Sequence, residues 1–242
     1  RSPKTTRDDG DDDDVPHSPT SPVGEATLMD ALMCSGTPLT TSMLRLSSDH
    51  QAKSVKLNAV LTTLVNEHED MKSEDFASAV QKIAKEVIKR EELADEMYAQ
   101  LIRATRSTVG ERSRRKAWEL LRIFAALFAP SRDFIGFISE YMNEVASRGV
   151  VDVQPLARAA LHTMKRTSKS AMRRHAPSAE EIVAFAKNEE LRVVISFLDG
   201  TFEDLPYDMT TTVKEAVEEL ASVIKLQNHA SFSLFTVRKF FG

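Results

Sequence analysis

The chain has 242 residues, 42% of them apolar, and a formal net charge of −4, enough to bury one substantial core and part of a second. Its single cysteine, Cys34, excludes an internal disulfide and fits a reducing cytosolic setting. The longest apolar stretch, around residues 123–129, falls far short of the roughly 20 residues a bilayer-spanning helix needs, so no integral membrane segment is expected.

The modest total hides segregated charge. Residues 1–23 hold six Asp against Arg1, Lys4 and Arg7, and residues 103–122 hold seven bases against Glu111 and Glu119. Residues 158–175 carry six Lys and Arg and no acid, whereas residues 176–242 are net acidic.

Residues 1–25 combine the Asp run with Pro3, Pro16, Pro19 and Pro22, a composition that buries too little apolar surface to offset chain entropy, so a disordered acidic tail is expected. Ser18-Pro19 and Ser21-Pro22 are either proline-directed phosphorylation sites or inert linker. The chain begins at Arg1 rather than Met, which suggests a piece of something longer.

Residues 26–188 have helical periodicity, with helices expected at 26–34, 50–68, 74–90, 91–106, 113–128, 132–147, 153–169 and 179–187. Leu93, Met97, Leu101 and Ile102 form one apolar stripe, and Ala117, Leu120, Leu121, Phe124 and Leu127 the next. Pro130 ends the second stripe, Ser131 is placed to cap the following helix, and Asp133 stands in its first turn. Trp118, Tyr98, Phe124, Phe128, Phe134 and Phe137 are expected in the core, with Glu96 and Gln100 as polar partners between helices. Ser178 and Glu181 have the spacing of a capping box.

Residues 189–242 change period. Leu191 to Leu198 form a near-continuous apolar run expected to be a buried strand, and Asp199-Gly200 signals a two-residue hairpin turn. A second strand over 201–208 contains Pro206, which fits only a sheet edge or bulge. Thr212 and Glu215 form another capping box ahead of a helix, and a third strand is expected over 231–237.

Catalytic grammar is missing. There is no Gly-rich phosphate loop, the six His residues have no metal-ligand spacing, and Cys34 has no base in its local sequence. No enzyme activity and no cofactor or metal is expected. Basic stretches without interleaved aromatics, in a chain with pI near 5.9, do not suggest a nucleic-acid binder.

The basic residues are the candidate site. Arg158, His162, Lys165, Arg166 and Lys169 recur at spacings of three and four, and Arg173, Arg174 and His175 continue past the helix end. They form either a solvated helix face or a surface for an acidic partner, which salt would weaken. Arg112, Arg114, Arg115 and Lys116 crowd a helix N-terminus, where the dipole disfavours cations. Either an acidic partner or internal pairing with Glu92 or Asp95 would compensate.

Three motifs taken together resemble the myosin tail homology 4 family: Asp95-Glu96-Met97-Tyr98-Ala99-Gln100-Leu101-Ile102, the Trp-Glu-Leu-Leu run at 118–121, and Pro-Ser-Arg-Asp at 130–133. Thr37-Pro38-Leu39 and Ser47-Ser48-Asp49 extend the match upstream. The chain departs at Arg103-Ala104-Thr105-Arg106, where the family usually has a Gln. Phe197-Leu198-Asp199, Tyr207-Asp208-Met209 and the Ala216-to-Ala221 helix are similar to the FERM-bearing tails of plant calmodulin-binding kinesin-like motors.

The resemblance implies a mainly α protein: a compact helical bundle or superhelix followed by an incomplete ubiquitin-like (β-grasp) α+β lobe. It implies a cytoplasmic, cytoskeleton-associated motor tail without its own ATPase. Such a tail would bind microtubules, through Glu-rich tubulin tails, using Arg158, Lys165, Arg166, Lys169, Arg173 and Arg174 with help from Arg112, Arg114, Arg115 and Lys116. Actin filaments stay open as the other filament partner, and a cargo or adaptor protein is expected. The alternatives are a scaffold with a cargo-peptide groove between helical domain and lobe, or an adaptor for acidic lipid.

Overall fold

The structure, a computed structural model, describes residues 36–66, 71–106, 110–170, 173–228, 230 and 233–236. The acidic tail, the helix expected at 26–34 and Cys34 lie outside the described residues. Among the described residues seven helices come first: α1 (Ser48–Asn66), α2 (Ser73–Lys89), α3 (Leu93–Thr105), α4 (Glu111–Leu127), α5 (Ile135–Arg148), α6 (Gln154–Thr167) and α7 (Ala179–Lys187). A hairpin of β1 (Leu191–Ser196) and β2 (Phe202–Tyr207) follows, then α8 (Val213–Val223). This is a mainly α fold with a small α+β lobe at its end, as the periodicity predicts.

α4 is the axis of the helical domain. Over its last three turns Ala117, Trp118, Leu120, Leu121, Ile123, Phe124, Ala125, Ala126 and Leu127 are all buried, and a helix apolar on every side must be surrounded. It packs most extensively on α6 and α3, and also meets α1 and α7. Trp118 stacks on Tyr141 of α5 at 5.8 Å and 12°, and each large buried apolar side chain of this kind contributes roughly 1.5–3 kcal/mol.

Polar pairing fixes the corners. Asp95 Oδ1 accepts the Ser131 backbone N–H at 2.7 Å, and the Tyr98 hydroxyl donates to the Phe128 carbonyl at 2.9 Å, so α3 holds the chain as it leaves α4. Ser131 Oγ accepts from Phe134 N–H at 3.3 Å, but it caps only a single turn: α5 starts at Ile135, with no acid in its first turn. Asp133 therefore precedes the helix. The buried residues of α5 are Ile138, Met142 and Ala146, spaced four apart on one face. Phe137, one residue from Ile138 and about 100° round the helix, is consequently 70% exposed instead of in the core.

Glu96 and Gln100 form a buried network. The Glu96 carboxylate accepts from Met43 N–H (2.9 Å), Leu44 N–H (2.7 Å), Ser54 Oγ (2.8 Å) and Gln100 Nε2 (2.7 Å). Asn58 accepts the Leu39 N–H at 2.6 Å and donates to Gln100 Oε1 at 3.2 Å. The extended segment ahead of α1 is thereby fastened onto α1 and α3. A buried carboxylate is tolerated because donors surround it.

α7 opens on the expected capping box: Ser178 Oγ accepts from Glu181 N–H at 3.1 Å and Glu181 Oε2 accepts from Ser178 N–H at 2.8 Å. It closes on Asn188 in the left-handed region at φ 57. Glu189 N–H then reaches Ala184 O at 2.8 Å and Asn188 N–H reaches Phe185 O at 3.2 Å, the paired bonds of a Schellman motif. That reversal delivers the chain into β1.

The lobe departs from expectation in three places. β1 is not buried: Val193 and Val194 are 41% and 60% exposed, because among the described residues the sheet has two strands and α8 packs on β2. The hairpin turn is longer than two residues. Phe197 N–H bonds Thr201 O at 2.8 Å and Gly200 N–H bonds Phe197 O at 3.2 Å, with Gly200 at φ 88. This is a three-residue loop in which a glycine takes the left-handed position. Of the expected third strand, residues 233–236 pair with neither edge and are not a strand, and Phe235 is 86% exposed. The rest of it lies outside the described residues. Pro206 pairs with Arg192 on a strand that no second described strand pairs with, which suits its missing N–H.

Candidate functional site

α6 divides cleanly into two faces. Ala157, Ala160, Leu161 and Met164 are buried against α4 and α5, with Leu156 packed partly against the same core. Arg158, His162 and Lys165 follow at i, i+4 and i+7 on the opposite side, all exposed, and Lys169 extends the row in the turn beyond the helix. Arg158 Nη2 leans back onto Gln154 Oε1 (3.3 Å) and Ala146 O (3.4 Å). Among the described residues, no carboxylate lies within ion-pair distance of Lys165, Lys169 or Arg174.

Two members of the predicted cluster are already engaged. Arg166 Nη2 is 3.0 Å from Glu215 Oε1 at the start of α8, and Arg173 Nη2 is 3.4 Å from Glu181 Oε1 in α7. The Thr212 amide, then the Arg166 guanidinium and the Thr212 hydroxyl, hold the Glu215 carboxyl below its usual range. These partners were not legible in the sequence because each lies on a different element.

The second basic cluster is partly paired within its own helix. Arg114 pairs with Glu111 at 3.9 Å, Arg115 with Glu119 at 3.5 Å and Lys116 with Glu119 at 3.2 Å. Glu92 and Asp95 take no part among the described pairs; the Asp95 carboxylate instead holds Ser131. Lys116 is only 7% exposed, with its ammonium 4.8 Å from the Phe76 ring centroid. Burial pushes its pKa down, against the opposing pull of Glu119. Arg112 stands in the exposed first turn.

Lobe and helical domain meet at a joint. Met209, 2% exposed, enters the core of the helices. Arg122 of α4 lies 4.4 Å from the Phe185 ring centroid and donates to the Phe185 carbonyl at 2.6 Å. Beside it opens a cleft of about 360 Å³ lined by Arg122, Phe185, Glu189, Tyr207 and Asp208 among others. Among the described residues, no group of His, Cys, Asp and Glu could hold a metal ion, and no helix is long and apolar enough to cross a membrane.

Residues 80–184 match the MyTH4 domain family and residues 189–240 the RA-like domain family. The chain is 38% identical over 217 residues to the kinesin-like protein KIN-14I of Oryza sativa subsp. japonica, covering 88% of this chain and 17% of that protein. It is 38% identical over 220 residues to KIN-14E of Arabidopsis thaliana, covering 88% and 18%. The chain thus spans less than a fifth of either relative. The MyTH4-FERM MF1 domain of Dictyostelium discoideum myosin VII superposes with a TM-score of 0.72 at 22% identity, over 81% of this chain and 40% of that one. The human Myosin 7b C-terminal MyTH4-FERM domain, solved with the harmonin-a PDZ3 domain, gives 0.66 at 18% identity, over 81% and 40%. These superpositions establish the fold.

Proposed function

The chain carries a MyTH4 domain followed by an RA-like domain of FERM type, and from that premise we propose that it is the non-motor tail module of a kinesin-like microtubule motor. The observation that supports this most is the exposed row of Arg158, His162, Lys165 and Lys169, with Arg174 beyond it, and the absence of a described carboxylate beside Lys165, Lys169 or Arg174. Such a row attracts extended acidic chains such as the Glu-rich tails of tubulin, in a salt-dependent manner. Arg166 and Arg173 stand at its flank. The α4 cluster contributes less, since Arg114, Arg115 and Lys116 are internally compensated. The module binds and positions; it carries no turnover of its own.

Co-sedimentation of the full 242-residue chain with microtubules across a salt series tests this. Binding that weakens with salt, with removal of the tubulin tails, and with the pair Lys165→Glu and Lys169→Glu is expected. Binding indifferent to those reversals overturns the assignment. A parallel series with actin filaments decides the filament, and acidic liposomes separate a lipid adaptor.

Cargo docking is the second role. The cleft at the joint, with Tyr207 and Phe185 beside Glu189 and Asp208, supports a groove for a partner peptide. The harmonin complex is a property of the myosin relative, and only the general role of holding a protein partner is carried over here. Cleft-directed changes such as Tyr207→Ala that leave microtubule binding intact but abolish partner capture would separate the two surfaces.

A further inference from the structure

We propose that Arg166 is a shared latch: the Glu215 carboxylate of the lobe and an acidic partner on α6 compete for it, so filament binding and lobe docking oppose one another. This rests on the reading of the α6 face as an acidic-partner surface. Arg166 is one residue beyond Lys165 and about 100° round the helix, at the edge of the row formed by Arg158, His162, Lys165 and Lys169. It is the member of that face that reaches the lobe, 3.0 Å from Glu215 Oε1. Both partners are reachable from solvent, with side chains 37% and 42% exposed, so exchange of one carboxylate for another requires no opening of the core.

The two oxygens of Glu215 have separate tasks. Oε1 meets Arg166, whereas Oε2 accepts the Thr212 N–H at 2.8 Å and the Thr212 hydroxyl at 3.0 Å. Loss of Arg166 therefore leaves the α8 cap in place, and the change is confined to the joint. Met209 remains seated in the helical core, so α8 loosens about an anchored point instead of detaching. Exposed ion pairs of this type shift an equilibrium by about two- to five-fold. Linkage requires the factor to be equal in both directions: a docked lobe lowers affinity for the acidic partner as much as a bound partner loosens the lobe.

Glu215→Gln isolates the latch, because glutamine at this position of a capping box still serves the cap while the ionic attraction to Arg166 is lost. Glu218→Gln is the matched control: it removes the same charge from the same helix, where among the described residues Glu218 pairs with Lys214 at 3.7 Å. The probe is a fluorescein-labelled ten-residue polyglutamate peptide, titrated by polarisation at low salt against the full chain. Glu215→Gln should bind it about two- to five-fold more tightly than wild type or Glu218→Gln. Arg166→Gln should bind more weakly, and adding Glu215→Gln to Arg166→Gln should give no gain. Saturating peptide should also speed hydrogen exchange across α8 in wild type and not in Arg166→Gln. Equal affinity of Glu215→Gln and Glu218→Gln, or a gain that survives in the double variant, overturns the latch. If the peptide pattern holds but microtubules are not bound, the filament assignment fails and the latch stands. If microtubules bind through Lys165 and Lys169 but Glu215→Gln brings no gain, the latch alone fails. No binding of either probe overturns both.

Discussion

The Glu96 carboxylate accepts the Leu44 backbone N–H at 2.7 Å, tying a segment that precedes α1 to the middle of the helical domain. Replacing Glu96 by Gln turns one acceptor into an NH₂ group facing other donors. A loss of about 2–4 kcal/mol in stability is expected. Urea denaturation measures it, and the Met43 and Leu44 amides should exchange earlier than those of α4. Unchanged protection at both amides would refute the role assigned to Glu96.

Alkaline pH should destabilise the fold through its tyrosines. Burial, with the Asp95 charge adding to it, holds the Tyr98 phenol far above its ordinary value of 10.0. Burial also raises Tyr141, against the opposing effect of its hydrogen bond with Thr105. Above pH ~10 the unfolded chain releases these protons before the folded one does, so it binds fewer protons and stability falls as pH rises. Each group contributes a slope of up to ~1.4 kcal/mol per pH unit. Tyr98→Phe removes one such slope and costs about 1 kcal/mol at neutral pH through the lost bond to Phe128 O. Urea melts from about pH 8 to 11 on both proteins compare the slopes; parallel curves would contradict the assignment.

Two glycines in one helical hairpin should respond in opposite directions. A Cβ on Gly149 would stand 2.5 Å from the Val145 carbonyl oxygen and 2.8 Å from Val145 Cγ1, whereas one on Gly136 would meet nothing within 4 Å. Gly149→Ala should cost about 1–3 kcal/mol because backbone must shift. Gly136→Ala, in the first turn of α5, should stabilise by about 0.5–1 kcal/mol. Thermal melts of the two single variants read the signs directly.

The two basic clusters should differ in their effect on filament affinity. Lys165→Glu with Lys169→Glu replaces exposed cations that pair with no described carboxylate, and a loss of about tenfold or more at low salt is expected. Arg115→Glu, beside Glu119, should change affinity by less than about threefold and instead cost helix stability through like-charge repulsion. Co-sedimentation and thermal melts on the same samples separate these outcomes. An equal affinity loss in both variants would place the α4 cluster on the binding surface after all.

Local signals carried most of the fold. The stripes through Leu93, Met97 and Leu101 and through Leu120, Phe124 and Leu127 are buried as their spacing requires, and the caps at Ser178 and Thr212 form because their partners are three residues away. Errors arose where the deciding neighbour is distant or a start point slips. Phe137 turns outward because α5 buries the face of Ile138, Met142 and Ala146, about 100° away. Val193 and Val194 are exposed because only one described strand flanks β1, and apolar content does not report how many strands surround a strand. In the candidate site, the row on α6 was visible as a pattern, but the engagement of Arg166 by Glu215 and of Arg173 by Glu181 depends on folding. Lys116 shows the converse: a lysine reads as surface in any sequence, yet here its stem is packed and its charge is held over Phe76.

Met209 has a consequence for how this protein can be divided. It belongs to the lobe by position, following β2, yet its side chain completes the interior of the helices. A cut at residue 188 would therefore remove a piece of the helical interior along with the hairpin, leaving a void that costs about 2–5 kcal/mol, as truncation of a buried methionine does. Met209 thus couples the helical part to the lobe, so exchange or engineering of either has to carry the other's complementary surface with it.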